Sequence, residues 1–206
     1  MKLFLTLALM VILVTNPLVS KSQTCTISCP SNIIVMADSS KEGAIVFFPK
    51  ATPIGECGIV TYTPASGSFF RLGSHSVTAS TASGQKCSFT VTVTDNESPR
   101  LSPITLSRTM LWPASNKLKK VGVYYSTSDN AQDVKTEISV SSNATDGNKD
   151  WEIVDNHLLR LMASRLPDGS PRIYMITVTA IDDAGNKTRR TTSIAVSKTM
   201  TAIAAR

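Results

Sequence analysis

Residues 87–95 read Cys-Ser-Phe-Thr-Val-Thr-Val-Thr-Asp, so that Phe89, Val91 and Val93 alternate with Ser88, Thr90, Thr92 and Thr94. A period of two suits a strand with one buried and one wet face; a helix repeats its faces roughly every 3.6 residues and would scatter this pattern. No segment sustains a helical period. Thr, Ser and Val are abundant, and apolar runs are short and divided by Gly, Pro, Asn or Asp. The pattern predicts an all-β chain.

Strands are expected near 32–37, 44–49, 58–63, 68–71, 75–81 and 87–94, punctuated by glycines at intervals that suit a sandwich. Asp95-Asn96-Glu97-Ser98-Pro99 then closes the last of them, because proline cannot donate to a ladder and the polar residues favour a turn. A domain boundary is predicted after Ser98. Beyond it the chain repeats itself. Val77 to Gly84 (VTASTASG) aligns with Val178 to Gly185 (VTAIDDAG), and both lead into alternating strands, the second carrying Thr192, Ile194 and Val196. Each half is predicted to end in the same kind of hairpin.

The N-terminus carries Lys2, an apolar run from Leu3 to Val14, a break at Asn16-Pro17 and then Ser20-Lys21-Ser22. This reads as a signal peptide over 1–22, cleaved before Gln23. Its apolar run is shorter than the roughly 20 residues a membrane-spanning helix needs, and no transmembrane segment is expected. The predicted organisation is a leader at 1–22, a first domain at 23–98 and a second at 99–206, exported to the extracellular space or cell surface. Loss of Lys2 and Lys21 leaves nineteen basic against fifteen acidic side chains, a net +4. Residues 23–98 hold four basic and five acidic groups, so the positive charge lies in the second half. Its basic residues are scattered singly, apart from Lys119-Lys120 and Arg189-Arg190, which reads as a solvated β-surface. With aromatics at 6% of residues, stacking platforms are few and no nucleic-acid partner is expected.

The segment from Cys29-Pro-Ser-Asn-Ile-Ile-Val35 through 64–70 (PASGSFF), Leu72-Gly73 and 76–81 (SVTAST) to the closing strand resembles a hyalin repeat (HYR) module, an immunoglobulin-like β-sandwich of extracellular proteins. The later set of Leu111-Trp112-Pro113, Asp150-Trp151-Glu152-Ile153, 159–165 (LRLMASR), 172–180 (RIYMITVTA) and 182–186 (DDAGN) resembles a bacterial Ig-like domain that follows HYR modules. In that family Trp-Pro continues Pro-Asn-His-Lys-Met, whereas this chain continues Ala-Ser-Asn-Lys-Leu. The resemblances imply two tandem Ig-like β-sandwiches in a secreted bacterial protein. They imply adhesion or scaffolding without catalysis or a cofactor, toward an extracellular protein or glycan partner. Loops 64–73 and 141–150, at one sandwich end, are the candidate contact regions.

Four cysteines in the first half of an exported chain argue for two disulfides. In Ig-like sandwiches the first and last strands often run in parallel side by side. That would bring Cys29, opening the first, within bridging distance of Cys87, opening the last. HYR-like modules also commonly carry this pair, which makes Cys29–Cys87 the favoured bridge. Cys25–Cys57 is then the default second pair, with two free thiols as the alternative. Cys25-x-x-x-Cys29 has a zinc-like spacing, but no second close pair accompanies it, and no metal site is assigned there.

Catalytic constellations are weak. His75 and His157 are expected as surface residues, and no Gly-x-Ser-x-Gly elbow presents a nucleophile. Asp150 and Glu152 lie two apart, yet a glycosidase also needs a groove with an aromatic floor. A surface hydrolase using this pair is the low-ranking alternative. Trp112 and Trp151 are expected as core plugs. Asp95-Asn96-Glu97 raises one further possibility: hard oxygen ligands at a hinge could bind calcium, with Asp182-Asp183 or Asp129-Asn130 contributing. Local acidic density favours a capped turn, so the expectation at the junction is a turn that ignores calcium. Asn143-Ala-Thr145 and Asn186-Lys-Thr188 match the N-glycosylation pattern, which would mean little in a bacterium.

Overall fold

Period-two alternation is realised as hairpins. The computed structural model describes residues 24–130, 133–144 and 150–199, all of whose regular elements are strands. The leader expected at 1–22 and the middle of the 141–150 loop lie outside the described residues. The first half contains β1 (Thr26–Ser28), β2 (Ile33–Met36), β3 (Gly43–Val46), β4 (Thr52–Ile54), β5 (Val60–Thr63), β6 (Ser68–Arg71), β7 (Gly73–Thr81) and β8 (Lys86–Thr94). The second half opens with β9 (Arg100–Leu101), β10 (Thr105–Leu106), β11 (Met110–Leu111), β12 (Leu118–Tyr124) and β13 (Thr127–Ser128). It continues with β14 (Val134–Ser142), β15 (Trp151–Asp155), β16 (Leu158–Met162), β17 (Ile173–Asp182) and β18 (Lys187–Val196).

The halves form tandem β-sandwiches, each with its own core. In the first, the sheet β2-β8-β7-β5 faces the β3-β6 pair. Val77, Phe89, Val91 and Val93 point inward from one side, and Ala44, Val46 and Phe70 from the other. Phe48 closes the core edge-on to Phe89, with ring centroids 5.1 Å apart. In the second, β10-β12-β16-β15 faces β11-β18-β17-β14, burying Leu111, Val121, Leu161, Ile176, Val178, Ile194 and Val196 among others. β1 and β4 pair antiparallel beside the first core. They are absent from the sequence reading because three residues cannot display a period and β4 contains Pro53.

Both sandwiches place an early strand parallel to the last one: β2 along β8, with Ile33 opposite Val91, and β11 along β18, with Met110 opposite Ala195. The β2–β8 offset of 58 residues also separates Cys29 from Cys87, which are bonded with their Cα atoms 5.7 Å apart. Cys25 bonds Cys57 at 4.9 Å, tying β1 to the loop after β4.

The repeated segment forms the same turn twice. Gly84 and Gly185 take φ of 92° and 90°, a region open to glycine without steric cost. The backbone bonds match: Gly84 N donates to Thr81 O at 3.0 Å, and Gly185 N to Asp182 O at 3.2 Å. The side chain at the turn's first position also matches. Gln85 N donates to Thr81 Oγ1 at 3.0 Å, and Asn186 N to Asp182 Oδ1 at 2.8 Å. A hydroxyl therefore caps this turn in the first sandwich and a carboxylate does so in the second.

The tryptophan expectation divides. Trp151 packs against the second core, its ring 6.3 Å from that of Tyr174. Trp112 is 38% exposed, because alternation in β11 gives the inward place to Leu111.

Candidate metal centre at the module junction

Three aspartates from separate elements meet where the two sandwiches join. Asp95 follows the last residue of β8, Asp129 follows β13, and Asp182 ends β17. Each offers a carboxylate oxygen within 4.8 Å of those of the other two; Asp182 is buried and its two companions are half-buried. β13 is held in place by its pairing with β9, Thr127 opposite Leu101 and Ser128 opposite Arg100. The Asn130 amide then reaches into the first sandwich, donating to Asp95 Oδ1 at 3.1 Å and to the Lys41 carbonyl at 3.2 Å.

Within the expected turn, Asp95 Oδ1 caps the chain by accepting from Glu97 N at 3.0 Å. Its other oxygen is buried without a hydrogen-bond partner, as is Asn130 Oδ1. Neither Asp95 nor Asp182 forms an ion pair with a Lys or Arg among the described residues. Carboxylates this close repel, and a buried acceptor without a donor carries a desolvation cost. A cation would relieve both. Asp182 is informative because the equivalent Thr81 makes the same turn with a hydroxyl, so the turn itself needs no negative charge.

The donor set is entirely oxygen, which suits a hard ion and disfavours zinc, with its preference for nitrogen and sulfur. Three carboxylates at strand ends, two of them partly open to solvent, suit calcium better than the strict octahedron of magnesium. Asp95, Asp129 and Asp182 would hold the ion, with the Asn130 carbonyl as a further oxygen nearby.

Other residues weighed from the sequence serve the fold. Glu97 stands apart from the cluster, accepting from Ser39 Oγ at 2.8 Å and Ser40 N at 2.9 Å. Asp183 points away and pairs with Lys135 at 3.4 Å. His75 is half-buried, on the same inward-facing side of β7 as Val77. Its ring packs on Phe70 and its Nε2 lies 2.8 Å from the Arg71 carbonyl. His157 stacks on Tyr125 with centroids 4.7 Å apart, and its Nδ1 meets the Val123 carbonyl at 3.0 Å. His75 departs from the expected surface placement because Phe70 covers its imidazole, whereas His157 stays exposed as expected. Asp150 pairs with Arg172, which is 4% exposed, while Glu152 pairs with Arg160 at 3.0 Å across the β15–β16 ladder. The two carboxylates are thus committed to different cations and form no dyad.

Asp129 and Asp182 lie far from Asp95 in sequence. The legible signals were an Asp-Asn after a short Thr/Ser strand and an Asp opening a hairpin, both common as plain caps.

No curated protein matches the chain. Among solved structures, protocadherin gamma B7 extracellular cadherin domains 1–4 is similar at 15% identity and a TM-score of 0.37, covering 84% of this chain and 49% of that one. Protocadherin gamma B2 extracellular cadherin domains 1–5 is similar at 14% identity and a TM-score of 0.38, covering 85% and 39%. Drosophila N-cadherin EC1-3 is similar at 13% identity and 0.31, covering 85% and 68%. The chain thus spans about half the length of the first of these. Within the chain itself, residues 22–93 match the model of the HYR domain.

Proposed function

We propose that this chain is a non-catalytic extracellular adhesion or spacer protein, with modules at 23–98 and 99–206 behind a secretory leader, whose hinge is stiffened by calcium. The observation that carries the reading is the convergence of Asp95, Asp129 and Asp182 at the junction. A β-sandwich pair with a free hinge would sample many angles. An ion bound to Asp95 on the exit of the first module and to Asp129 and Asp182 on the second restricts that angle and so transmits force or spacing. Calcium present outside cells at millimolar level suits a site with few protein ligands. The absence of catalysis is supported by how the candidate groups are used: Asp150 and Glu152 answer arginines, and both histidines bond backbone carbonyls.

Calorimetry of the mature protein, first in millimolar calcium and then in chelator, tests this. An ion that binds only the folded state raises the melting temperature by linkage. A rise of several degrees is expected, and Asp95→Asn/Asp129→Asn should remove it. Identical scans with calcium and chelator would leave only the capped turn and a plain spacer.

A further inference from the structure

The two outer faces of the first sandwich differ in kind. Outward positions of β7 and β8 carry hydroxyls, among them Ser74, Ser76, Thr78, Thr90 and Thr92, as expected of a wet sheet surface. Outward positions of the β3–β6 pair are apolar instead. Ile45 lies directly opposite Phe69 in that ladder, and Phe47 continues the same face two residues on. Phe47 is 79% exposed, and Ile45 and Phe69 are each 50% exposed. We propose that this face is a homotypic contact, against which a second copy of the chain packs its own β3–β6 face about a two-fold axis. The contact lies on the first module and needs no ion at the hinge.

Three observations select a second copy. The first is area. With about 200 Å² for a whole side chain of this size, the three residues present roughly 350 Å² of contiguous apolar surface. Two copies would bury about 700 Å², and interfaces are about 60% apolar, which implies a total near 1,200 Å². That clears the roughly 1,000 Å² a specific interface needs and sits at its weak, reversible end. The second is preorganisation. The Phe47 ring packs over Gly67 and the Phe69 ring over Gly43, so closely that an added Cβ would come within 3.0 and 2.8 Å of them. Anchors already held against the sheet lose little freedom on binding. Charge is the third. The rim carries one base and one acid, Arg71 and Glu42, paired at 2.9 Å and both exposed. A net-neutral rim attracts neither an acidic peptide nor an anionic headgroup, yet it is complementary to itself. A two-fold axis parallel to the strands lays β3 of one copy over β6 of the other. Ile45 then meets the second copy's Phe69, and each Glu42 comes beside the second copy's Arg71.

Sedimentation equilibrium of the full mature protein in chelator, which leaves the hinge unloaded, tests this. A reversible dimer with a micromolar dissociation constant is expected. Phe47→Thr and Ile45→Thr keep residues that suit a strand and should each weaken it by about tenfold or more. Arg71→Glu and Glu42→Arg, at exposed positions that leave both cores intact, should each be largely monomeric, because like charges then meet across the axis. An equimolar mixture of these two variants should dimerise, since every cross-axis pair is again acid with base. Thermal melts matching the wild type report that the charge variants are folded. A wild type that stays monomeric at every concentration would overturn the proposal. So would a dimer unaffected by both threonine variants, or a mixture of the charge variants no more associated than either alone. A monomer that instead binds neutral phosphatidylcholine vesicles through Phe47 would overturn it in favour of a lipid surface. None of these outcomes bears on the calcium-dependent melting shift, so the hinge reading stands or falls separately.

Discussion

Replacing Cys29 and Cys87 together by serine should destabilise the first sandwich selectively. The bridge spans 58 residues of sequence, and the loop-closure relation for that length gives about 4 kcal/mol at 25 °C. Both half-cystines are only half-buried, so serine leaves little cavity and loop closure dominates the cost. The Cys25–Cys57 bridge spans 32 residues, for which the same relation gives about 3.7 kcal/mol. Loss of either pair should therefore be severe for a single small sandwich, whose whole stability is of order 5–15 kcal/mol. Urea unfolding in chelator, which leaves the hinge unloaded, separates the modules by their chromophores. Both tryptophans, Trp112 and Trp151, lie in the second half. Tryptophan fluorescence thus follows that half alone, while far-ultraviolet circular dichroism follows both. The expected result is a first-module transition moved to much lower urea and a fluorescence transition left in place. A loss below about 1 kcal/mol would refute the loop-closure argument. A fluorescence transition moving in step would refute the independence of the two cores.

Two further outcomes test the packing. Val91 is fully buried, so Val91→Asp buries an unpaired charge and should unfold the first module, whereas Thr90→Asp, on the opposite face of β8, should cost little; thermal melts showing equal losses would contradict the register. Burial pushes the Tyr174 hydroxyl up to about 12 from 10.0. Below pH 10 the folded and unfolded chains both keep this proton, and between pH 10 and 12 only the unfolded chain releases it, so the second module should lose stability as pH rises through that window. Tyr174→Phe should cost about 1 kcal/mol at neutral pH, since the hydroxyl lies 2.9 Å from the Met162 carbonyl. It should also flatten that alkaline loss; an unchanged pH slope in urea melts would show that other groups cause it.

Alternation at Phe89, Val91 and Val93 was enough to predict an all-β chain, because a strand's side-chain period is imposed by its backbone and is local. The two hairpins were legible for the same reason: Gly84 and Gly185 occupy positions whose positive φ a short sequence can announce. The parallel pairing of β2 with β8 was anticipated only through resemblance to Ig-like sandwiches, since nothing local to Cys29 specifies a neighbour 58 residues away. His75 and Trp112 were misplaced because burial depends on what an opposing sheet supplies, Phe70 covering the imidazole and Leu111 taking the inward position. The junction cluster shows the limit most clearly. Sequence reasoning could name Asp95, Asp129 and Asp182 as possible contributors to one site, but each also carries an adequate local explanation as a cap, and that reading was favoured. Their shared geometry arises only when β8, β13 and β17 end at one place, and electrostatic repulsion depends on distance through space, which separation along the chain does not encode.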